Sequence, residues 1–204
     1  MKVALIGATG NAGSRILEEL VRRGHSITAI TRNPERMKDL PCVVAKQGDA
    51  NNVADLAPLL TGHDAVVSSL HFMASDPHKL IAAVKQAGVK RYLVVGGAGG
   101  LEVEPGVRVI DTEHGVPEPY RPESRAGIAF LDELQATQDL DWTFLSPSEQ
   151  FVAGERTGVF RLGSDALLRD ESGRSWISYE DYAVALVDEL QTPSHSGRRF
   201  TVGY

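Results

Sequence analysis

Short runs of β-branched and aliphatic residues recur along the first 146 positions, and helical periodicity fills the gaps between them. Val3–Ile6 is apolar without a break, the pattern of a strand covered on both faces. Ile16, Leu17, Leu20 and Val21 then share one face of a helix over residues 11–23, which Gly24 stops. Ser26–Ile30, Cys42–Ala45, Asp64–Leu70 and Arg91–Val95 read as strands two to five, with Cys42 as a small strand hydrophobe. Val53–Leu60 and Lys79–Ala87 read as helices between them, the second ended by Gly88. Pro122 suits the first turn of a further helix running to about Gln138, and Trp142–Leu145 is a sixth strand.

Repeated strand–helix–strand units demand right-handed crossovers, so the expected fold is α/β, a Rossmann-type doubly wound parallel sheet. The stretch from Gly96 to Tyr120, rich in glycine and proline, reads as one long irregular loop of the kind that covers a site or moves. Beyond it, Val159–Leu162, Ala166–Arg169 and Ser175–Ile177 are short strand candidates, with a turn at Ser172-Gly173. Tyr179–Leu190 is an amphipathic helix and Arg199–Val202 a closing strand. Residues 147–204 bury too little to fold alone, so they read as a small C-terminal α/β cap on the same core, on the substrate side. One domain over 1–204 is expected, with residues 1–146 as its Rossmann core.

Composition narrows the partners. The net charge of -6 gives no reason to expect nucleic acid, which needs clustered Lys and Arg. No apolar run approaches the roughly 20 residues that cross a bilayer, and the N-terminal run is too short for a signal peptide. A lone cysteine excludes an internal disulfide and points to the cytoplasm. None of the six histidines has metal-ligand spacing. The expected partner is a small molecule, bound by a monomer or homodimer.

Candidate chemistry starts at Gly7-Ala8-Thr9-Gly10-Asn11-Ala12-Gly13, directly after the first strand and before the first helix. Glycines there let backbone amides approach a pyrophosphate, and the helix N-terminus adds partial positive charge. Glycines alone would also suit a structural turn; the strand–loop–helix context favours a dinucleotide. The second strand ends Ile30-Thr31-Arg32 with no acid to accept from a ribose 2′-hydroxyl. Arg32, helped by Arg36, can grip a 2′-phosphate instead, so NADP(H) is expected over NAD(H), which stays possible. Asp49 follows strand three, where it either contacts adenine or stabilises a turn. Ser68, Ser69 and Leu70 close strand four beneath the ribose and pyrophosphate.

The run Val3–Ile16, the turn Thr31-Arg32-Asn33-Pro34, Gly48-Asp49 and Val94-Val95-Gly96-Gly97-Ala98 together resemble the atypical short-chain dehydrogenase/reductases that bind NAD(P)H. Within that group the chain looks similar to NmrA-like proteins and the biliverdin reductase B/flavin reductase type. It extends through Leu145-Ser146-Pro147 and Trp176–Ala183. The resemblance implies Gly7, Gly10 and Gly13 on the pyrophosphate, Arg32 on the 2′-phosphate, and Ser146–Gln150, with Pro147, near the nicotinamide.

The chain departs from the superfamily in its catalytic residues. Ordinary members use Tyr-x-x-x-Lys, the lysine lowering the tyrosine pKa. Here Tyr120 has Ser124 four residues on, and Gly96–Gly100 carries no hydroxyl. Alcohol oxidation and nucleotide-sugar isomerisation by that route are not expected. Hydride transfer to an acceptor that spreads charge, such as a flavin or quinone, needs no strong protein acid. His71, Phe72, Met73 and Pro147–Phe151 are expected to stack such an acceptor, with Tyr120, His71 or His114 as proton donor. A non-enzymatic NADP(H)-binding redox sensor is the alternative.

Overall fold

The computed structural model describes residues 1–37 and 39–204. The chain opens with β1 (Lys2–Ile6), α1 (Asn11–Arg22), β2 (Ser26–Thr31) and β3 (Val43–Gln47). It continues through α2 (Val53–Leu60), β4 (Ala65–Ser68), α3 (Pro77–Gln86) and β5 (Arg91–Val95). A hairpin of β6 (Glu102–Glu104) and β7 (Val107–Arg108) precedes α4 (Arg121–Ala136) and β8 (Asp141–Pro147). The final stretch carries β9 (Gln150–Val152), β10 (Arg161–Gly163), β11 (Trp176–Ser178), α5 (Tyr179–Gln191) and β12 (Arg198–Gly203).

The main sheet runs β10-β12-β8-β5-β4-β1-β2-β3. β10 pairs antiparallel with β12, and the other neighbours pair in parallel. The chain steps outward from β1 to β3, then returns to place β4 on the other side of β1. That reversal opens a crevice between the carboxyl ends of β1 and β4, where ligands of such sheets sit.

Both faces are covered, which explains the unbroken apolar strands. On one face α1 and α5 bury Ile16, Leu20, Tyr182 and Leu186 against Val3, Leu5 and Phe200. On the other, α2, α3 and α4 bury Leu56, Leu80 and Phe130 against Ile6, Tyr92 and Phe144. The C-terminal residues are thus built into the same core: β12 lies beside β8, and α5 lies along α1. Arg15–Glu180 at 3.0 Å and Arg23–Asp188 at 2.6 Å tie the two helices at their polar margin.

Several sequence-based boundaries shift. Cys42 is not a strand hydrophobe: it is exposed, has φ +62°, and precedes β3. β3 is the edge strand, so its β-rich pattern was not set by burial on both faces. The fourth strand ends at Ser68, two residues earlier than its apolar pattern suggests. Ala166–Arg169 forms no strand; a single bridge joins Ala166 to Glu102. Val159 is outside β10 and exposed. The Gly96–Tyr120 stretch is not wholly irregular, since it holds β6, β7 and two short 3-10 turns. β9 was missed, because its pairing with β11 is remote in sequence.

A buried carboxylate fixes the segment after β9. Glu19 of α1 accepts from Arg23 Nε and Arg156 Nε, both at 2.7 Å. The hydrogen bonds from Arg156, with help from Arg23, hold its carboxyl at about 2 against an ordinary 4.5, although burial opposes them. A folded-state value below the unfolded one stabilises the protein above pH 4.5, and that contribution fades as pH falls towards 2. Glu19→Gln should cost on the order of 2 kcal/mol at pH 7, discounted for the half-exposed Arg156. Urea midpoints of the two proteins should draw together as pH falls from 4.5 towards 2; a gap that stays constant with pH would refute the ion-pair origin.

Candidate active site

The loop after β1 is shaped by two close backbone approaches. Gly7 has φ +85°, and a Cβ there would lie 2.1 Å from Ser69 O. A Cβ on Gly13 would lie 2.1 Å from Gly7 O, so α1 seats directly on the loop. Gly10 is different: its nearest heavy atom would be 3.5 Å away, and it serves as the N-cap of α1 in an extended conformation. α2, α3 and α5 are capped by Asn52, Asp76 and Ser178. α1 has no side-chain cap among the described residues and no acid in its first turn. Its first amides, at Asn11, Ala12 and Gly13, therefore remain for an anion, favoured by the helix dipole. That uncapped cradle fits a dinucleotide pyrophosphate.

A crevice of about 220 Å³ runs from this loop across the carboxyl ends of β1, β2, β3 and β4. Thr9, Arg32, Asp49, Ser69 and Leu70 line it, as the sequence placed them. Arg32 is exposed and has no ion-pair partner among the described residues. Arg36 faces an adjoining cavity with Thr9, Thr31 and Asn33. Asp49 stabilises its turn, its Oδ1 accepting from Asn51 N at 2.9 Å, and the residue borders the crevice. Ser68 is a correction. Its hydroxyl is buried beneath the crevice, 2.9 Å from the Tyr92 hydroxyl, because β4 alternates and turns Ser68 towards the core. Burial pushes the Tyr92 hydroxyl well above its ordinary pKa.

Beside the crevice lies a second cavity, about 260 Å³ and mostly apolar. Phe72 and Phe144 stack to form one wall, centroids 6.1 Å apart at 19°. Gly97–Gly100 after β5 form another, packed directly against Ser124 and Ile128 of α4, with Gly127 also in the lining. Gly127 makes room for Phe72, whose ring a Cβ would approach to 2.8 Å. Glu123, one turn earlier, accepts from Phe72 N at 2.7 Å and Met73 N at 3.0 Å. The loop 71–74 is therefore clamped to α4 and divides the two spaces. His71 and Ala74 border the crevice, and Phe72 borders the cavity.

The expected catalytic side chains are placed unequally. Tyr120 lines the cavity mouth and is largely exposed. His71 projects into solvent at the crevice, its Nδ1 3.4 Å from Glu123. His114 is exposed and outside the cavity lining. Met73 is exposed and outside it too. The expected Pro147–Phe151 stacking surface is not there. Pro147 is buried and lines neither space, and Phe151 packs on Tyr179 and Tyr182 across the sheet. From that segment Glu149 reaches the cavity, with Arg169 3.4 Å from its carboxylate. Glu123 and Gly127 were not anticipated; no motif marks a residue whose work is to hold a loop.

The NAD(P)H-binding family matches residues 7–193 of this sequence. The chain belongs to that family. Solved structures similar to it carry different descriptions. A candidate exported protein from Burkholderia pseudomallei is 43% identical, covers both chains fully, and superposes with a TM-score of 0.91. A candidate epimerase from Bacteroides thetaiotaomicron is 40% identical over 100% of this chain and 96% of that one, with a TM-score of 0.95. A candidate NADH-flavin reductase from Streptococcus pneumoniae is 37% identical over 100% and 99%, with a TM-score of 0.86. Membership of the NAD(P)H-binding family fixes the cofactor class and the fold, so the reaction has to be argued from the cavity. No helix among the described residues is long and apolar enough to cross a membrane.

Proposed function

We propose that the chain is an NADPH-dependent reductase of a small planar acceptor, a flavin or a quinone, working in the cytoplasm as a monomer or homodimer. The observation that carries this reading is the apolar, aromatic-walled cavity one loop away from the cofactor crevice. Bound NADPH supplies two electrons and one hydrogen to the acceptor, which gains one proton from water and leaves oxidised NADP as the other product. Gly7, Thr9, Gly10, Asn11, Ala12 and Gly13 hold the pyrophosphate, Arg32 the 2′-phosphate, and Asp49 the adenine. Ser69 and Leu70 support the ribose. Tyr120, at the cavity mouth, and His71, at the crevice, serve as candidate hydrogen-bond donors.

The absent Tyr-x-x-x-Lys pair favours one second reading, a non-enzymatic NADP(H) sensor. Purified protein mixed with NADPH and a panel of flavins and quinones separates the two. Loss of reduced-cofactor absorbance with at least one acceptor is expected. Tight NADPH binding with no turnover on any of them would leave the sensor.

A further inference from the structure

We infer that the acceptor is an uncharged quinone of one or two rings, seated against Phe72 with a ring carbonyl facing Ser124; this rests on the reductase reading above. The charged side chains on the cavity wall are Glu123, Glu149 and Arg199, and each is already committed. Both Glu123 oxygens take backbone amides of the loop 71–74. Glu149 pairs with Arg169. Arg199, the cation of the lining, gives Nε to Asp165 at 2.9 Å and Nη1 to Gly100 O at 2.7 Å, and its Nη2 also meets Asp165. An anionic acceptor would thus lose water in an apolar space without gaining a free cation, and the Glu123 carboxylate would repel it. A cationic acceptor would find both carboxylates engaged.

Size points the same way. At about 260 Å³ the cavity falls below the roughly 300–1,000 Å³ of drug-sized ligand pockets, a volume that suits one or two rings. The Phe72 ring, near-parallel to Phe144 and held by Gly127, is a fixed aromatic surface in the cavity wall. Ser124 Oγ, packed against Gly99 in the wall, is buried with no hydrogen-bond partner among the described residues. A rotamer change turns it into the cavity, and a carbonyl there would take its hydrogen without breaking an existing bond.

The test uses the full chain with menadione, menadione sulfonate and flavin mononucleotide. Binding is read by quenching of intrinsic fluorescence without cofactor, and turnover by NADPH oxidation. Menadione should bind at least tenfold tighter than its sulfonate, and its kcat/KM should exceed that of flavin mononucleotide by a similar factor. Ser124→Ala should raise the menadione KM about tenfold with kcat nearly unchanged and the NADPH Kd unaltered. Equal or tighter binding of the sulfonate, or preferred reduction of flavin mononucleotide, would overturn the uncharged-quinone assignment while leaving the reductase reading intact. Selective menadione binding with no turnover would do the opposite. An unchanged KM in Ser124→Ala would remove the serine from the assignment.

Discussion

Gly13→Ala should weaken NADPH binding about a hundredfold and lower the stability of the fold. The added Cβ would sit 2.1 Å from Gly7 O and 3.0 Å from Gly7 C. These are backbone atoms of a loop that Gly7 already fixes at φ +85°, so no flexible side chain can yield. α1 has to slide off the loop, and overpacking of this kind costs about 1–3 kcal/mol of stability. The same slide displaces the first-turn amides that would face the pyrophosphate. A hundredfold loss corresponds to about 2.7 kcal/mol, a plausible toll for several mispositioned charge-assisted bonds. Gly10→Ala is the control, since its Cβ would meet nothing nearer than 3.5 Å at a φ of -74°. That variant should melt with the wild type, so any cofactor loss it shows comes from the ligand side. Calorimetric titration and thermal melts read both; a Gly13→Ala protein with wild-type Tm and Kd would contradict the seating of α1.

Arg32→Ala should raise the Kd for NADPH about tenfold to a hundredfold and change that for NADH less than threefold. The guanidinium is exposed at the end of β2 and unpaired among the described residues, so it loses little protein structure when removed. Its contribution should shrink as salt screens an exposed contact. Adding Arg36→Ala should widen the gap further, because Arg36 borders the adjoining cavity beside Thr9 and Thr31. Equal losses for both cofactors would move the 2′-phosphate elsewhere.

The parts of this protein that repeat a local rule were legible in its sequence. Val3–Ile6 and Arg91–Val95 are buried on both faces, so their apolar runs marked strands directly. The glycine spacing located the first turn, because only glycine tolerates the contacts that Gly7 and Gly13 make. Ser68 failed for a simple reason of alternation: adjacent strand residues face opposite ways, and a one-residue difference separates the core from the crevice. Phe72 lines the apolar cavity, whereas Met73, Pro147 and Phe151, grouped with it from the sequence, do not. Glu123 and Gly127 act on Phe72 from 51 and 55 positions away, which no local pattern encodes. Pro147 and Phe151 were misplaced because β8 stays buried through Pro147 and β9 then directs Phe151 to the opposite face.

The pairing of α1 with α5 sets an order in time as well as in space. Arg15 and Glu180 touch across 165 positions of chain, and the apolar face of α1 lies under residues of the same distant helix. On a ribosome, the glycine loop and α1 are therefore made long before their cover exists. Until then, Ile16, Leu17 and Leu20 are wet and available to chaperones or to neighbouring nascent chains. Such non-local closure also slows folding, because the loop entropy is spent before the contacts form. α1 is thus made well before α5 and is finished only when α5 arrives.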